Sequence, residues 1–166
     1  MSKTAILFVC LGNICRSPVA EGVFRQKIQD VGLADDVTID SAGTAAWHVG
    51  KSPDSRMIRA AASRGYDLSP LRARQAVTKD FQEFDHIIAM DKENYANLEA
   101  IRPANARAKL SLFLDYAEHV AEEEVPDPYF GGTDGFYHVI DLVEAASDGL
   151  INSLRPKITA VRKPCP

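Results

Sequence analysis

Cysteine, long apolar runs and an excess of either charge are all scarce in this sequence. The 166 residues include three cysteines, an odd number. The apolar run near the first residue is too short for a signal peptide. No disulfide framework is therefore expected. No apolar run is long enough to predict a membrane span. The formal net charge of -4 provides no basic footprint for nucleic acid. We therefore expect a cytoplasmic protein with no nucleic-acid partner and no membrane span.

Metal ligands are sparse as well. Four residues separate Cys10 from Cys15, and the four histidines are widely dispersed along the chain. Structural zinc sites usually draw their ligands from closely spaced cysteine and histidine pairs. We expect no metal site and no other cofactor.

Short apolar segments alternate with segments of helical periodicity. The apolar segments predict strands at 4–9, 37–40, 86–90 and 110–114. Helical spacing predicts helices at 18–30, from Ser52 and Pro53 to Arg64, at 92–101 and at 136–154, with Gly65 ending the second. This alternation is typical of a parallel sheet with helices on both faces. We expect an α/β fold of three αβα layers around a four-stranded sheet, as one domain over residues 1–166.

The loop between the first strand and the first helix carries both a cysteine and an arginine. Five residues separate Cys10 from Arg16, and Ser17 before Pro18 predicts a helix start with Ser17 as N-cap. Backbone N–H groups at a helix start bind tetrahedral oxyanions, and an arginine fork matches two phosphoryl oxygens. The pattern therefore indicates a phosphate-binding loop.

This setting favours a reactive role for Cys10. A helix N-terminus and an arginine both stabilise a thiolate, which is the nucleophilic form of cysteine. Gly12 and Asn13 suit the positive φ that a curled loop needs, and the Ser17 hydroxyl is near enough in sequence to reach the sulfur. A lone cysteine at a strand end is usually a small buried apolar residue. The spacing to Arg16 favours the nucleophile instead.

An acidic residue stands between two prolines near the end of the chain. Asp127 follows Pro126 and precedes Pro128, which should keep its loop stiff. An aspartate in this position is more often a turn former. Transfer of a phosphoryl group from a phenol nevertheless needs a proton donor for the leaving oxygen. The residues alone leave both interpretations of Asp127 open.

Residues 9–18, Val-Cys-Leu-Gly-Asn-Ile-Cys-Arg-Ser-Pro, resemble the signature of low-molecular-weight protein tyrosine phosphatases. The resemblance continues through 40–44, 47, 49–54, 89–91 and 127–129, and so covers essentially the whole chain in order. It implies metal-independent hydrolysis of phosphotyrosine in proteins through a phosphocysteine, with Cys10, Arg16, Asp127 and Ser17 as catalytic residues. The residues that it implies for phosphate and substrate binding are Leu11, Gly12, Asn13, Ile14, Cys15, Trp47 and Tyr129.

The resemblance also implies more specific roles. Trp47 and Tyr129 are similar in position to aromatic residues that wall the family's pocket. Asn13 and Ser41 resemble residues that hold the loop through hydrogen bonds. Related phosphoarginine-specific enzymes carry threonine at the position of Ile14, so isoleucine favours phosphotyrosine here.

Four positions bear on regulation and rigidity. Leu71 stands where relatives often have a histidine, so we expect the loop to rely on other groups. Phe130 stands where some relatives have a second phosphorylatable tyrosine, so regulation through two tyrosines is not expected. Cys15 is implied to trap oxidised Cys10 as a reversible disulfide. Cys165 is expected to be an exposed thiol in the tail.

Two other functional classes were considered. An arsenate reductase shares this fold and loop but passes electrons through further cysteines, and residues 16–164 contain none. A module that binds phosphotyrosine without turnover predicts loss of Cys10 or Asp127, and both are present. We expect phosphotyrosine-containing proteins as partners, and a monomer or weak dimer.

Overall fold

Four parallel strands form one sheet in the computed structural model, which describes residues 3–129 and 131–162. Their order across the sheet is β2-β1-β3-β4, and every neighbouring pair is parallel. The strands are β1 (Thr4–Cys10), β2 (Val37–Gly43), β3 (His86–Ala89) and β4 (Lys109–Leu112). This confirms the expected α/β class and strand number. Phe130 and Cys165, about which the sequence made predictions, lie outside the described residues.

Helices cover both faces of the sheet. They are α1 (Arg16–Asp30), α2 (Ser55–Ser63), α3 (Asp80–Glu83), α4 (Lys92–Ile101) and α5 (Thr133–Arg162), with short 3-10 turns at Ala34–Asp36 and Phe113–Tyr116. Residues of α1, α2 and α5 pack in one buried cluster, and residues of α3 and α4 pack in another. The three αβα layers are therefore as expected.

Strand β1 divides these two clusters. Ile6 and Phe8 belong to the cluster with α1, α2 and α5, whereas Leu7 and Val9 belong to the cluster with α3 and α4. Successive side chains of a strand point to opposite faces, so burial of both faces requires the continuous apolar run seen in the sequence. Each such side chain contributes roughly 1.5–3 kcal/mol when fully buried. This burial holds β1 in place between the two clusters. Cys10, the last residue of β1, is therefore fixed at the carboxyl end of the sheet.

The starts of α1, α2 and α5 differ from the prediction, and α5 begins at Thr133 instead of 136. Helix α1 begins at Arg16, with Cys15 at the N-cap position and no side-chain cap, so the prediction that Ser17 caps it was wrong. The physical reason is that the Ser17 hydroxyl is already engaged by Cys10 and Asn13. Helix α2 begins after Asp54, whose carboxylate accepts from the Arg56 N–H at 2.8 Å, and not at 52–53. Aspartate is one of the preferred N-cap residues.

The end of α2 follows the prediction. Gly65 has a φ of +89°, which an amino acid with a side chain rarely adopts. The Tyr66 N–H donates to Ala61, and the Gly65 N–H donates to Ala62, both at 3.0 Å. These two bonds satisfy the last carbonyl groups of the helix, as in a Schellman motif.

Strand boundaries differ by a few residues. β2 extends to Gly43, beyond the predicted end at 40, because 41–43 pair with the last residues of β1. β4 ends at Leu112, since Phe113 begins a 3-10 turn. The longer β2 matters for the site, because it places Ser41 and Gly43 against the loop that follows β1.

Candidate active site

The loop that joins β1 to α1, residues 10–16, is the Cys10 loop. It bends at Asn13, which has a φ of 57°, as predicted. Gly12 is not among the glycines with positive φ, so that part of the prediction was wrong. A Cβ at Gly12 would lie 2.9 Å from Cδ2 of His48. His48 packs against the Gly12 backbone, and a side chain at 12 would have to displace its ring.

Cys10 lies at the base of this loop and is only 3% exposed. Its sulfur is 3.0 Å from the Ser17 hydroxyl oxygen. The backbone N–H of Asn13 donates to the same sulfur at 3.3 Å. The sulfur therefore has two polar neighbours suited to stabilising negative charge.

Arg16 lines the same cavity as Cys10 and is 2% exposed. Its Nη1 donates to Asp91 at 2.6 Å and to the carbonyl of Val125 at 3.1 Å. Its Nη2 lies 3.7 Å from the carboxylate of Asp127. Burial acts to lower the pKa of Arg16, but the neighbouring Cys10 and Asp91 outweigh it, and the pKa is raised. The guanidinium therefore stays charged and is held in one orientation.

Asn13 braces the loop from behind. Its Nδ2 donates to Ser17 at 2.8 Å and to Ser41 at 3.0 Å, and its Oδ1 accepts from the backbone N–H of Arg74 at 3.0 Å. Asn13 is 2% exposed and does not line the cavity at the site. Leu71 packs against the apolar cluster, and the Arg74 backbone is one of the groups that support the loop.

Glu21 extends this network into α1. One carboxylate oxygen accepts from the Ser41 hydroxyl at 2.7 Å, and the other accepts from Arg25 at 2.7 Å. Burial raises the pKa of Glu21, whereas the bonds from Ser41 and Arg25 act to lower it. Glu21, which was not selected from the sequence, is therefore linked to Asn13 through Ser41.

A cavity of about 190 Å³ opens above Cys10. Two aromatic side chains stand at its rim, with Trp47 69% exposed and Tyr129 38% exposed. Ten residues line it: Cys10, Leu11, Gly12, Ile14, Cys15, Arg16, Trp47, His48, Asp127 and Tyr129. The structure thus brings together nine of the residues selected from the sequence. Asn13, Ser17 and Ser41 lie behind the cavity.

Cys15 also lines the cavity and is a free, buried cysteine like Cys10. Burial raises its pKa strongly, and the charge of Asp54 adds to this. Cys15 is therefore a protonated thiol at neutral pH and is unsuited to be the nucleophile.

Residues 125–129 form the Asp127 loop on the opposite side of the cavity. The side chain of Asp127 is 42% exposed. Its Oδ1 accepts from the backbone N–H of Tyr129 at 3.1 Å. This bond orients the carboxylate of Asp127, which lines the same cavity as Cys10.

Besides Glu21, three side chains at the site were not selected from the sequence. Asp91 follows β3 directly, at the carboxyl end of the sheet where Cys10 also emerges, and the general location of sites in parallel sheets could have identified it. His48 is next to Trp47 in sequence, but only the fold shows that it packs on Gly12. Arg56 reaches the Tyr129 carbonyl at 2.8 Å, a contact that no local pattern reveals.

Neither metal ligands nor a membrane segment emerge from the described part of the chain. Within residues 3–129 and 131–162, no three His, Cys, Asp or Glu side chains are grouped so that they could hold a metal ion. No helix described there combines the length and apolar character needed to cross a bilayer.

Comparison with known proteins gives concordant matches. A family model described as low molecular weight phosphotyrosine protein phosphatase matches residues 5–160. The protein of that name from Schizosaccharomyces pombe is 50% identical over 132 residues, 79% of this chain and 84% of that protein. A crystal structure of an Entamoeba histolytica protein tyrosine phosphatase aligns with a TM-score of 0.90 and 43% identity, covering 93% of this chain and 99% of that one. A Drosophila arginine phosphatase aligns with a TM-score of 0.84 and 30% identity, covering 90% and 97%.

Proposed function

The chain belongs to the low molecular weight phosphotyrosine protein phosphatase family, and on this basis we propose that it hydrolyses phosphotyrosine in proteins through a phosphocysteine, without a metal ion. Family membership confirms the resemblance drawn from residues 9–18. One observation carries the proposal: Cys10, Arg16 and Asp127 line one cavity, with the Arg16 guanidinium 3.7 Å from the Asp127 carboxylate.

In the first step, the Cys10 thiolate attacks phosphorus in line with the leaving oxygen. The S–P bond forms as the bond from phosphorus to the tyrosine oxygen breaks, and Asp127 donates a proton to that oxygen. Arg16 and the loop N–H groups stabilise the charge on the remaining phosphoryl oxygens. The products are free tyrosine side chain and phosphocysteine.

In the second step, water attacks the phosphocysteine. Asp127, now ionised, takes a proton from the water as the new O–P bond forms, and the S–P bond breaks to release phosphate. The Ser17 hydroxyl, 3.0 Å from the sulfur, stabilises the departing thiolate. The enzyme returns to its starting state.

The proposed independence from metal rests on charge. A phosphoryl transition state needs positive charge on its oxygens, which magnesium supplies in kinases. Here Arg16 is buried, fixed by Asp91 and kept charged by its neighbours. We therefore expect full activity in the presence of a chelator.

The substrate preference rests on the cavity walls. Trp47 and Tyr129 offer aromatic surfaces at the rim, which suit an aryl phosphate. Ile14 presents an apolar side chain to the cavity, with no hydroxyl for a guanidinium. Phosphoarginine remains the second candidate substrate, because a structural relative is an arginine phosphatase.

The proposal also includes the setting in which the enzyme works. Its partners are phosphotyrosine-containing proteins, its whole chain is one catalytic domain, and its oligomeric state is monomer or weak dimer. A cytoplasmic location suits the two free cysteines of the cavity, because thiols stay reduced there.

The test compares phosphate release from a phosphotyrosine peptide and a phosphoarginine peptide, with chelator present. We expect turnover of phosphotyrosine by the wild type and none by Cys10→Ser. Rapid acid quenching should trap phosphate on the wild-type protein and none on Cys10→Ser. Preferred turnover of phosphoarginine would overturn the assigned substrate, and no turnover of either peptide would overturn the proposed activity.

A further inference from the structure

We propose that Arg56 is a positioning residue, which holds the Asp127 loop over the Cys10 loop so that Asp127 meets the leaving oxygen. This inference rests on the proposed function and adds a residue to it. Arg56 does not line the cavity, so any effect on the reaction passes through the groups that it contacts.

The first end of the Asp127 loop is fixed by the sheet and by Arg16. The Val125 N–H donates to the carbonyl of Met90 at 2.8 Å, and the Val125 carbonyl accepts from Arg16 at 3.1 Å. Val125 itself is fully buried. The first end of the loop is therefore anchored beside the end of β3.

The second end of the loop is held by Arg56. Its Nη2 donates to the carbonyl of Tyr129 at 2.8 Å, and its guanidinium lies 5.5 Å from the Tyr129 ring centre and 4.8 Å from that of Phe136. Tyr129 in turn donates its N–H to Asp127 at 3.1 Å. One cation thus fixes the residue whose backbone aims the acid.

Arg56 is anchored to the other side of the cavity through Asp54. It donates to both carboxylate oxygens, at 3.1 and 2.9 Å. The Asp54 N–H donates to the carbonyl of Ile14, in the Cys10 loop, at 2.8 Å. These contacts form a continuous path from the Cys10 loop to Tyr129, so the two loops are held at a fixed separation.

This arrangement matters because Asp127 is half exposed and makes few contacts of its own. Its carboxylate is held by the Tyr129 N–H and lies 3.7 Å from Arg16. A general acid contributes only when it is within hydrogen-bond reach of the atom that it protonates. Loss of the Arg56 anchor should therefore act on proton donation and spare the attack by Cys10.

Leaving-group dependence separates these two effects. A phenol leaving group needs the proton from Asp127, whereas the much more acidic 2,4-dinitrophenol does not. We expect Arg56→Met to lower kcat/KM for phenyl phosphate by about 10-fold or more, since misplacement of a catalytic group by about 1 Å costs as much as 100-fold. The kcat/KM for 2,4-dinitrophenyl phosphate should stay near the wild-type value. An equal loss for both esters would overturn the inference.

Arg64→Met is the matched control. Arg64 directly follows α2, the helix that contains Arg56. Its guanidinium lies 5.2 Å from the Tyr137 ring centre and forms ion pairs with Asp141 and Glu144 on α5. It has the same kind of contacts as Arg56 but none with the Asp127 loop. It should leave both kcat/KM values unchanged. Thermal unfolding checks that Arg56→Met is folded. If it is not, Arg56→Lys, which lacks the planar guanidinium, is measured in the same way.

A double-mutant cycle with Asp127→Asn completes the test. If Arg56 acts through Asp127, Arg56→Met should lower kcat/KM for phenyl phosphate no further in the Asp127→Asn background. Additive losses would overturn the inference. Asp127→Asn alone must lower kcat/KM for phenyl phosphate much more than kcat/KM for 2,4-dinitrophenyl phosphate. If it does not, the proposed role of Asp127 fails, whereas failure of Arg56→Met alone removes only this inference.

Discussion

The carboxylate of Glu21 accepts the hydroxyl proton of Ser41 at 2.7 Å, and this contact sets the direction of a chain of hydrogen bonds that ends at Cys10. Because Ser41 donates to Glu21, its oxygen accepts from Asn13. The second Nδ2 hydrogen of Asn13 goes to Ser17. The Ser17 oxygen is thus an acceptor from Asn13, and its own proton has two acceptors within reach, the sulfur at 3.0 Å and the carbonyl of Ala42 at 3.3 Å. An ionised sulfur is the stronger of the two acceptors, so the hydroxyl donates to it when Cys10 is a thiolate.

We predict that Ser17→Ala slows the hydrolysis of phosphocysteine more than its formation. The hydroxyl stabilises the departing thiolate, and a hydrogen bond to a charged group is worth about 1.5–3 kcal/mol, or roughly 10- to 100-fold in rate. Rapid mixing should show a burst of released phenol followed by slow steady turnover. Ser111→Ala is the control, because that hydroxyl contacts Tyr116 away from the cavity. Equal slowing of burst and steady phases would contradict the assigned role.

Gly43→Ala should disrupt the Cys10 loop from outside it. A Cβ at Gly43 would lie 2.7 Å from the carbonyl oxygen of Leu11 and 3.1 Å from the N–H nitrogen of Asn13. These are backbone atoms, so the loop itself must shift. We expect a loss of kcat/KM of about 100-fold, the cost of misplacing catalytic groups by about 1 Å. Gly132→Ala, where a Cβ meets nothing within 4 Å, should have wild-type activity. Normal activity of Gly43→Ala would show that the loop can adapt.

The sequence predicts the parts of this site that depend on local order. The apolar run of β1, the helix that follows it, and the spacing of Cys10 and Arg16 lie within 30 residues, so pattern and propensity suffice to place them. Asp91 is 75 residues from the arginine that it orients, and Arg56 is 73 residues from the carbonyl that it holds. Such contacts depend on the folded arrangement of the chain and leave no local pattern.

The errors at the starts of α1 and α2 have two origins. Ser17 has the sequence features of an N-cap, but in the fold its hydroxyl lies between Cys10 and Asn13. Asp54 provides the cap of α2 where the sequence favoured Ser52 before Pro53. At Ser17, local preference is overridden because tertiary contacts engage the side chain. At α2, Asp54 is itself a local N-cap candidate, and the helix begins directly after it.

We predict that Cys15 protects Cys10 from irreversible oxidation. Peroxide converts the Cys10 thiolate to a sulfenic acid, and the Cys15 thiol can then displace water to form a disulfide, which added thiol reduces. Cys15→Ala should therefore recover less activity than wild type when thiol is added after peroxide. Mass spectrometry should find sulfinic acid at Cys10. Cys165→Ala is the control and should recover like wild type. Equal recovery of Cys15→Ala would remove the protective role.

Ile14→Thr tests how far one cavity residue sets the substrate. The change removes apolar surface and adds a hydroxyl beside the bound group, which suits a guanidinium more than a phenyl ring. We expect the ratio of kcat/KM for phosphoarginine over phosphotyrosine peptides to rise by about 10-fold, near the 1–3 kcal/mol that such pocket changes are worth. Ile14→Val is the control for lost volume and should leave the ratio unchanged. A similar rise in Ile14→Val would assign the effect to space alone.

Glu21 should give the folding stability a particular pH dependence. Burial raises its folded pKa above the ordinary value of 4.5. Between 4.5 and the folded pKa, the native state holds a proton that the unfolded chain has lost, so the free energy of unfolding falls as pH rises through this window. Glu21→Gln cannot titrate there. Urea unfolding from pH 4 to 7.5 should therefore show wild type losing stability relative to Glu21→Gln as pH increases. A relative gain by wild type would mean that the contacts with Arg25 and Ser41 outweigh burial and lower the pKa.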